Sequence, residues 1–408
     1  MTSRRLFLKN SALALYGVGT APLWMARAVQ GATRRNKVLV AILQRGAMDG
    51  LNVVVPFGEA AYAGLRPNIG IAAPSPGSAD SAIDLDGFFG LHPALAPLKP
   101  IYDAKQMAVI HAVGSPDPTR SHFDAQDYME SGTPGRKATS DGWLNRALEP
   151  QKSASPVRAV SLGGSLARTL RGPNDAVALR NVDQFQIHDS NGDSSGAGTF
   201  ESMYENTVDQ VLHGAGRETF EAVKLMESIR KEPYSPANGA EYPNNPLGQS
   251  LLQIARLIKS GVGLEVAFAD MGGWDTHANE TAQLQNLLGQ FSAALAAFHR
   301  DLGDGMQDVC VVTMSEFGRT AKENGARGTD HGHANVMFAF GAGVQGGKVY
   351  GEWPGLRPEQ LYQERDLAMT TDFRDVLGEL VTRHLGGPSL AKVFPGYDRP
   401  KYPGLISA

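Results

Sequence analysis

Four short stretches of the chain concentrate side chains that bind metals. Asp330-His331-Gly332-His333 places three such side chains in four residues, with Gly332 leaving the backbone free to turn. Asp275-Thr276-His277 adds a carboxylate and an imidazole, and Glu316 follows in Ser315-Glu-Phe-Gly-Arg-Thr320. Asp49 stands among small residues in Arg45-Gly-Ala-Met-Asp-Gly-Leu-Asn52. Asp49, Asp275, His277, Glu316, Asp330, His331 and His333 together form a candidate ligand set for one or more divalent metals. Imidazole with carboxylate suits Zn, Mn or Fe; carboxylate alone suits Mg or Ca. Plainer roles are also open. Asp49 can shape a turn, Asp275-Thr276 can cap a following helix, and Glu316 can pair with Arg319.

A fifth stretch, Asp117-Pro-Thr-Arg-Ser-His-Phe-Asp124, sets Ser121 between Arg120 and His122. A serine becomes a nucleophile when a base or metal favours its alkoxide. Ser121 fits equally well as the N-cap of a helix with acids in its first turn. The two roles are compatible, because a helix N-terminus also stabilises anions. Arg45, Arg120, His122 and Arg319 are the candidate contacts to an anionic substrate.

These residues need elements to bring them together. Apolar runs at 37–45, 106–113, 157–162, 264–270, 308–314 and 336–340 read as strands buried on both faces. Residues 247–259, 281–302 and 372–384 have helical spacing, and the first stops at Ser260-Gly261. The alternation predicts an α/β fold, a mixed, mostly parallel sheet sandwiched by helices, in one large domain over 33–408. Segments 71–90 and 186–200 are rich in Ser, Gly and Asp and read as surface loops. In such sheets ligands bind beyond the carboxyl ends of the strands. Asp49, Asp275 and Glu316 each follow a strand run directly.

Composition narrows the chemistry. The 408 residues are 42% hydrophobic and 20% charged, which excludes a disordered, collagenous or coiled-coil protein. The single cysteine, Cys310, excludes an intramolecular disulfide and a Cys-based zinc or iron–sulfur site. In mid-strand it reads as an inert buried residue. No dinucleotide glycine pattern follows the first strand, so a redox enzyme lacks support.

Residues 1–28 have a basic start, an apolar middle of about 15 residues and Ala26-Arg-Ala28, the three parts of a secretory signal. The apolar part is too short for a stable membrane span. Ser3-Arg-Arg-Leu-Phe-Leu-Lys9 resembles the twin-arginine (Tat) export motif, which implies the Tat machinery as a partner and a periplasmic or extracellular destination. The leader holds four of the 38 basic residues and none of the 42 acidic ones, so the remainder, 34 bases against 42 acids, carries −8. An acidic surface disfavours nucleic acid as a partner.

On the leader, Arg45–Asn52, Ser121–Gln126, Gly142-Trp-Leu144, Gly273–His277, Ser315–Thr320 and Thr329–Asn335, the chain resembles the Tat-exported bacterial domain-of-unknown-function 1501 family. That family in turn resembles the alkaline phosphatase and sulfatase superfamily. The resemblance implies metal binding by Asp49 and by Asp275 with His277, and Ser121 as nucleophile. Phe317 stands where an Asp-His pair would place its His, and Asp330-His331 would supply the missing ligand. The implied activity is metal-dependent hydrolysis of a phosphate or sulfate ester, on a small anionic ester or a sulfated or phosphorylated polymer. The alternative is a non-catalytic periplasmic binding or assembly protein that keeps the fold.

Overall fold

The computed structural model describes residues 37–149, 155–184, 222–231 and 233–407. The leader and segment 186–200 lie outside the described residues. The strands are β1 (Val38–Gln44), β2 (Val54–Val55), β3 (Ile83–Asp84), β4 (Gly90–Leu91), β5 (Met107–Gly114), β6 (Ala159–Leu162), β7 (Val177–Leu179), β8 (Val266–Met271), β9 (Val309–Met314), β10 (Asn335–Gly341), β11 (Val349–Tyr350) and β12 (Thr371–Asp372). All six apolar runs form strands. Segment 71–90, expected as loop, contributes the two-residue β3 and starts β4.

β1 shows why the core strands form. All seven of its residues are buried. Val38, Val40 and Ile42 enter one apolar cluster, and Leu39, Ala41 and Leu43 enter another. Successive side chains point to opposite faces, so a continuous apolar run is stable only where both faces are covered. On the first face lie α2 (Pro246–Ser260) and α3 (Glu280–Leu302), through Leu251, Ile254, Leu288, Phe291 and Phe298. On the second lies α4 (Phe373–Glu379), continued as a π-helical turn over Leu380–Leu385. α1 (His122–Ser131) sits on the same side and inserts Met129. Each such side chain removed from water contributes about 1.5–3 kcal/mol.

Local signals set the helix ends. The Asn245 side chain accepts from the Gly248 amide, Pro246 occupies the first turn, and Gly261 closes α2 at φ 65°. Asp275 and Thr276 do not cap α3, which starts at Glu280 after Asn279 in the left-handed region.

The main sheet runs β11-β5-β10-β9-β1-β8-β6-β7, with β12 beside β5. β1 is parallel to β8 and β9, while β10 is antiparallel to both β9 and β5. The carboxyl ends of β1, β5, β8 and β9 therefore share an edge with the amino end of β10. Residues 45–49, 115–122, 272–277 and 315–320 leave their strands there, and residues 329–334 arrive there.

Candidate metal centre

The loops at this edge are held against one another by close backbone approach. Thr320 N donates to Asp330 O, Gly332 N to Gly318 O and Gly318 N to His333 O, each at 2.8–2.9 Å. A Cβ on Gly332 would lie 2.3 Å from the Arg319 carbonyl carbon, so only glycine lets these segments pair. Gly46, at φ +117°, brings the loop after β1 equally close to Trp274 and Asp275.

Arg319 organises the edge from beneath with no exposed side-chain surface. Its guanidinium donates to the carbonyls of Gly46, Ala47, Trp274 and Thr329 and to Asp275 Oδ1 at 2.7 Å. Burial would raise the Asp275 carboxyl, but the hydrogen bond and charge of Arg319 outweigh it and draw it down to about 2. Arg319 thus positions a ligand candidate and has no surface turned to a substrate, unlike the contact expected of it. Trp274 is buried, with its indole N–H on Met271 O at 2.9 Å.

Around Asp275 Oδ1 stand three imidazole nitrogens: Nε2 of His277 at 3.0 Å, of His331 at 3.2 Å and of His122 at 3.3 Å. His331 Nε2 lies 3.0 Å from Nε2 of both His122 and His277. One ligand atom from each of His122, Asp275 and His331 falls within 4.8 Å of the others.

The opposite ring nitrogens decide what these Nε2 atoms are. His331 Nδ1 is 2.8 Å from the Arg120 carbonyl, which can only accept. His122 Nδ1 is 2.9 Å from Glu316 Oε1, and His277 Nδ1 is 3.2 Å from Asp330 Oδ1. Both acids are ionised acceptors. Burial would raise Glu316, but donors on His122, Gln126 and Gly46 hold it below the usual range. Burial is likewise outweighed at Asp330 by Asn324 and His277. Each imidazole thus carries its proton on Nδ1 when neutral and turns an Nε2 lone pair toward Asp275. Lone pairs 3 Å apart repel unless a cation or proton lies between them. An imidazole with Nδ1–H on a carboxylate or carbonyl is the usual support of a metal-ligating histidine. The donor set therefore fits a divalent metal, with Asp275, His122 and His331 as its holders and His277 Nε2 beside them, 3.0 Å from both Asp275 and His331.

The other expected residues lie elsewhere. Glu316 and Asp330 sit behind the imidazoles as acceptors. Asp49 is buried and takes both terminal nitrogens of Arg66. That pairing outweighs burial and keeps its carboxyl below the usual range. The His333 ring is buried and stacks on Tyr362 at 4.1 Å. Phe317, read as a lost ligand, is a support, stacked 4.9 Å from the His122 ring and tilted against that of His331 at 5.1 Å. Glu316 does not pair with Arg319.

Ser121 is exposed and caps α1, accepting from the Asp124 amide at 3.5 Å. Arg45 binds Asp270 at 2.6 Å and Glu130 at 2.9 Å. Arg120 binds Asp366 at 2.5 Å. His122, expected as a substrate contact, joins the imidazoles instead. Its hydrogen bond to Glu316 raises its pKa above the ordinary histidine value, while burial lowers that of His331. The sequence held one unused signal for this. His122 and Gln126 are one helical turn apart and on one face, and both reach Glu316 Oε1, Gln126 at 2.8 Å.

No curated protein matches the sequence. Among solved structures the chain is similar to the C-terminal periplasmic domain of EcEptC from Escherichia coli in complex with Zn, at 7% identity, over 76% of this chain and 74% of that one, TM-score 0.34. It is similar to the lipoteichoic acid synthase LtaP from Listeria monocytogenes, at 8% identity, over 78% and 69%, TM-score 0.34. The PsFucS1 sulfatase from Pseudoalteromonas sp. gives 12% identity, over 93% and 75%, TM-score 0.38. At these values the reading of function is left to the geometry of the site. The model of a protein family of unknown function, DUF1501, matches residues 104–389; that span takes in β5 through α4 with all four converging residues, and the chain belongs to this family.

Proposed function

We propose that the chain is a metal-dependent hydrolase of phosphate or sulfate esters, with one divalent metal held by Asp275, His122 and His331 and with His277 beside them. One observation carries the reading: three imidazoles, each with Nδ1 on a protein acceptor, turn their Nε2 atoms to within 3.0–3.3 Å of one carboxylate oxygen. Imidazole donors in this number favour Zn over Mn, Mg or Ca. When bound, the metal would polarise an ester oxygen and favour the deprotonated form of a nearby hydroxyl or water.

The protein's own groups supply the rest. Ser121 is the proposed nucleophile, at the amino end of α1 and next in the chain to His122. Its oxygen attacks phosphorus or sulfur, its proton passes to solvent, and the ester oxygen departs and is protonated. Water then cleaves the seryl ester, returning the hydroxyl and releasing phosphate or sulfate. Arg45 and Arg120, both partly exposed, are the proposed contacts to the substrate's remaining oxygens. Export by the Tat route, supported by Ser3–Lys9, would place this chemistry in the periplasm or outside the cell. No helix among the described residues is long and apolar enough to cross a membrane. The substrate class is a small anionic ester or a sulfated or phosphorylated polymer.

The test is metal analysis of the purified chain, followed by aryl phosphate, phosphodiester and sulfate hydrolysis with Zn, Mn, Mg and Ca. Asp275→Asn is the control. One equivalent of metal and turnover lost in Asp275→Asn are expected; a chain that takes up no metal sinks the proposal. Ser121→Ala is expected to retain metal and lose turnover, and full residual activity would exclude Ser121 as nucleophile. A second reading, a non-catalytic binding or assembly protein, is favoured by the ion pairs that already engage Arg45 and Arg120. Metal uptake with no turnover on any of these esters would select it.

A further inference from the structure

Glu280 has no part in the chemistry just proposed, yet it touches both segments that carry the ligands. It opens α3 with no exposed surface. Its Oε2 accepts from Thr276 Oγ1 at 3.1 Å and from Thr329 Oγ1 at 2.6 Å. Thr276 stands between Asp275 and His277, and Thr329 directly precedes Asp330-His331. The Thr329 amide also donates to the Thr276 carbonyl at 3.2 Å. One carboxyl oxygen therefore bridges the segments bearing three of the four converging residues.

The charges around Glu280 say what form this acid takes. Two buried carboxyls, Asp49 and Glu280, are hydrogen-bonded to each other beside Arg66. Arg66 gives both terminal nitrogens to Asp49. Burial, and then the charge of Asp49, push the Glu280 carboxyl well above its ordinary range. A second ionised carboxylate so close would be strongly disfavoured. Glu280 is thus a neutral acid, accepting from the threonines on Oε2 and from Asn52 Nδ2 on Oε1 at 3.2 Å, and donating to Asp49. A primary amide keeps the carbonyl acceptor for the threonines and a donor toward Asp49, and gives up only the acceptor for Asn52 Nδ2.

We propose that Glu280 is a positioning residue of the metal centre: as the common acceptor of Thr276 and Thr329 it fixes the distance between Asp275-His277 and His331, and metal affinity depends on it. This rests on the metal reading above. The test titrates Zn(II) into the metal-free chain against a chromophoric chelator of known affinity. Thermal unfolding of each metal-free chain and the visible spectrum with Co(II) are recorded alongside. The variants are Glu280→Ala, Glu280→Gln and the double variant Thr276→Val/Thr329→Val. Glu280→Ala and the double variant are expected to bind Zn(II) about 10–100-fold more weakly, with an altered Co(II) spectrum. Glu280→Gln is expected to stay within about threefold of wild type, since it keeps the acceptor. Should Glu280→Ala fail to fold, the double variant, which removes only two hydroxyls, decides. Wild-type affinity in a folded Glu280→Ala or double variant overturns the inference and leaves the metal reading standing. Loss in Glu280→Gln equal to that in Glu280→Ala overturns the neutral bridging acid. A wild-type chain that takes up no Zn(II) overturns both.

Discussion

Asp275, after β8, leaves 48% of its side chain in solvent, whereas Asp49, after the neighbouring β1, leaves 1%. The two aspartates sit at one sheet edge, and each meets an arginine. What differs is the rest of the surroundings. Asp49 lies in a closed network: Arg66 cancels its charge, Glu280 shares a proton with it, and Asn52 and Tyr62 complete the hydrogen bonds. Asp275 faces three imidazole Nε2 atoms whose neighbours are only that carboxylate and one another. A carboxylate matched inside the protein holds structure together. A carboxylate ringed by imidazole nitrogens is, on the reading proposed above, open to a cation from outside.

The sharpest way to break this contrast is to remove a member of the open cluster. Asp275→Ala and His331→Ala are expected to weaken Zn(II) binding by more than about 100-fold, because removing a ligand costs more than removing its support. Unfolding of the metal-free chain should change by about 0.5 kcal/mol or less in His331→Ala, and by more in Asp275→Ala, which leaves the buried Arg319 guanidinium without its carboxylate. Chelator competition and urea unfolding on the same samples read both quantities. Large destabilisation without loss of metal would put Asp275 in the same class as Asp49.

The converse experiment acts on the closed network. Arg66→Met leaves Asp49 buried without its cation, and breaking a buried ion pair on one side costs about 3–5 kcal/mol. The loss appears in the urea midpoint, and the folded fraction should still take up one equivalent of Zn(II). If metal is lost while stability holds, Asp49 belongs to the metal centre, as its place after β1 first suggested.

Much of this was legible in the chain, and the rest was hidden for definite reasons. The core strands announce themselves because double-sided burial demands continuous apolar runs, as in Val38–Gln44. Asp275, His277 and His331 were marked by ligand types at short spacing. Asp49 has the right residue type and position, but its partner Arg66 lies 17 residues on, in a segment with no metal-like pattern. His122 was read as a substrate contact because its role depends on Glu316, 194 residues away. The antiparallel direction of β10 was also unreadable. It explains why His331 precedes its strand while Asp275, His277 and His122 follow theirs.

A milder probe separates support from ligation within the open cluster. Glu316 Oε1 accepts from Gly46 N, His122 Nδ1 and Gln126 Nε2. Glu316→Gln keeps the shape, loses the charge and puts an amide where acceptors are needed. Zn(II) affinity is expected to fall about 10–100-fold. The His122 pKa, followed by NMR in the metal-free chain, should drop back toward the ordinary value, because Glu316 is the main cause of its elevation. An unmoved His122 pKa would show that this hydrogen bond does not set the ring's protonation.

The smallest expected effect contrasts the open imidazoles with a buried one. His111, in mid-β5, has Nε2 on the Val54 carbonyl at 3.0 Å and Nδ1 accepting from the Ala112 amide at 2.9 Å. It therefore carries its proton on Nε2, the tautomer opposite to that assigned to the open cluster, and both nitrogens are engaged inside the protein. A second proton would displace the Ala112 amide in an apolar setting, and burial lowers the pKa to about 4, against 6.5 for a free histidine. The sign follows directly. Between these values the unfolded chain binds a proton that the folded chain refuses, so stability falls as pH drops through that window and is constant above it. His111 alone should account for a loss of about 1 kcal/mol between pH 7 and pH 5.5. His111→Gln, whose amide can still donate to Val54, does not titrate there. Urea midpoints across this range should fall less steeply in the variant, and equal slopes would exclude His111 as the source of acid sensitivity. Because both His111 nitrogens are engaged inside the protein, the same substitution should leave Zn(II) uptake unchanged, whereas substitution of His122 or His331 should not.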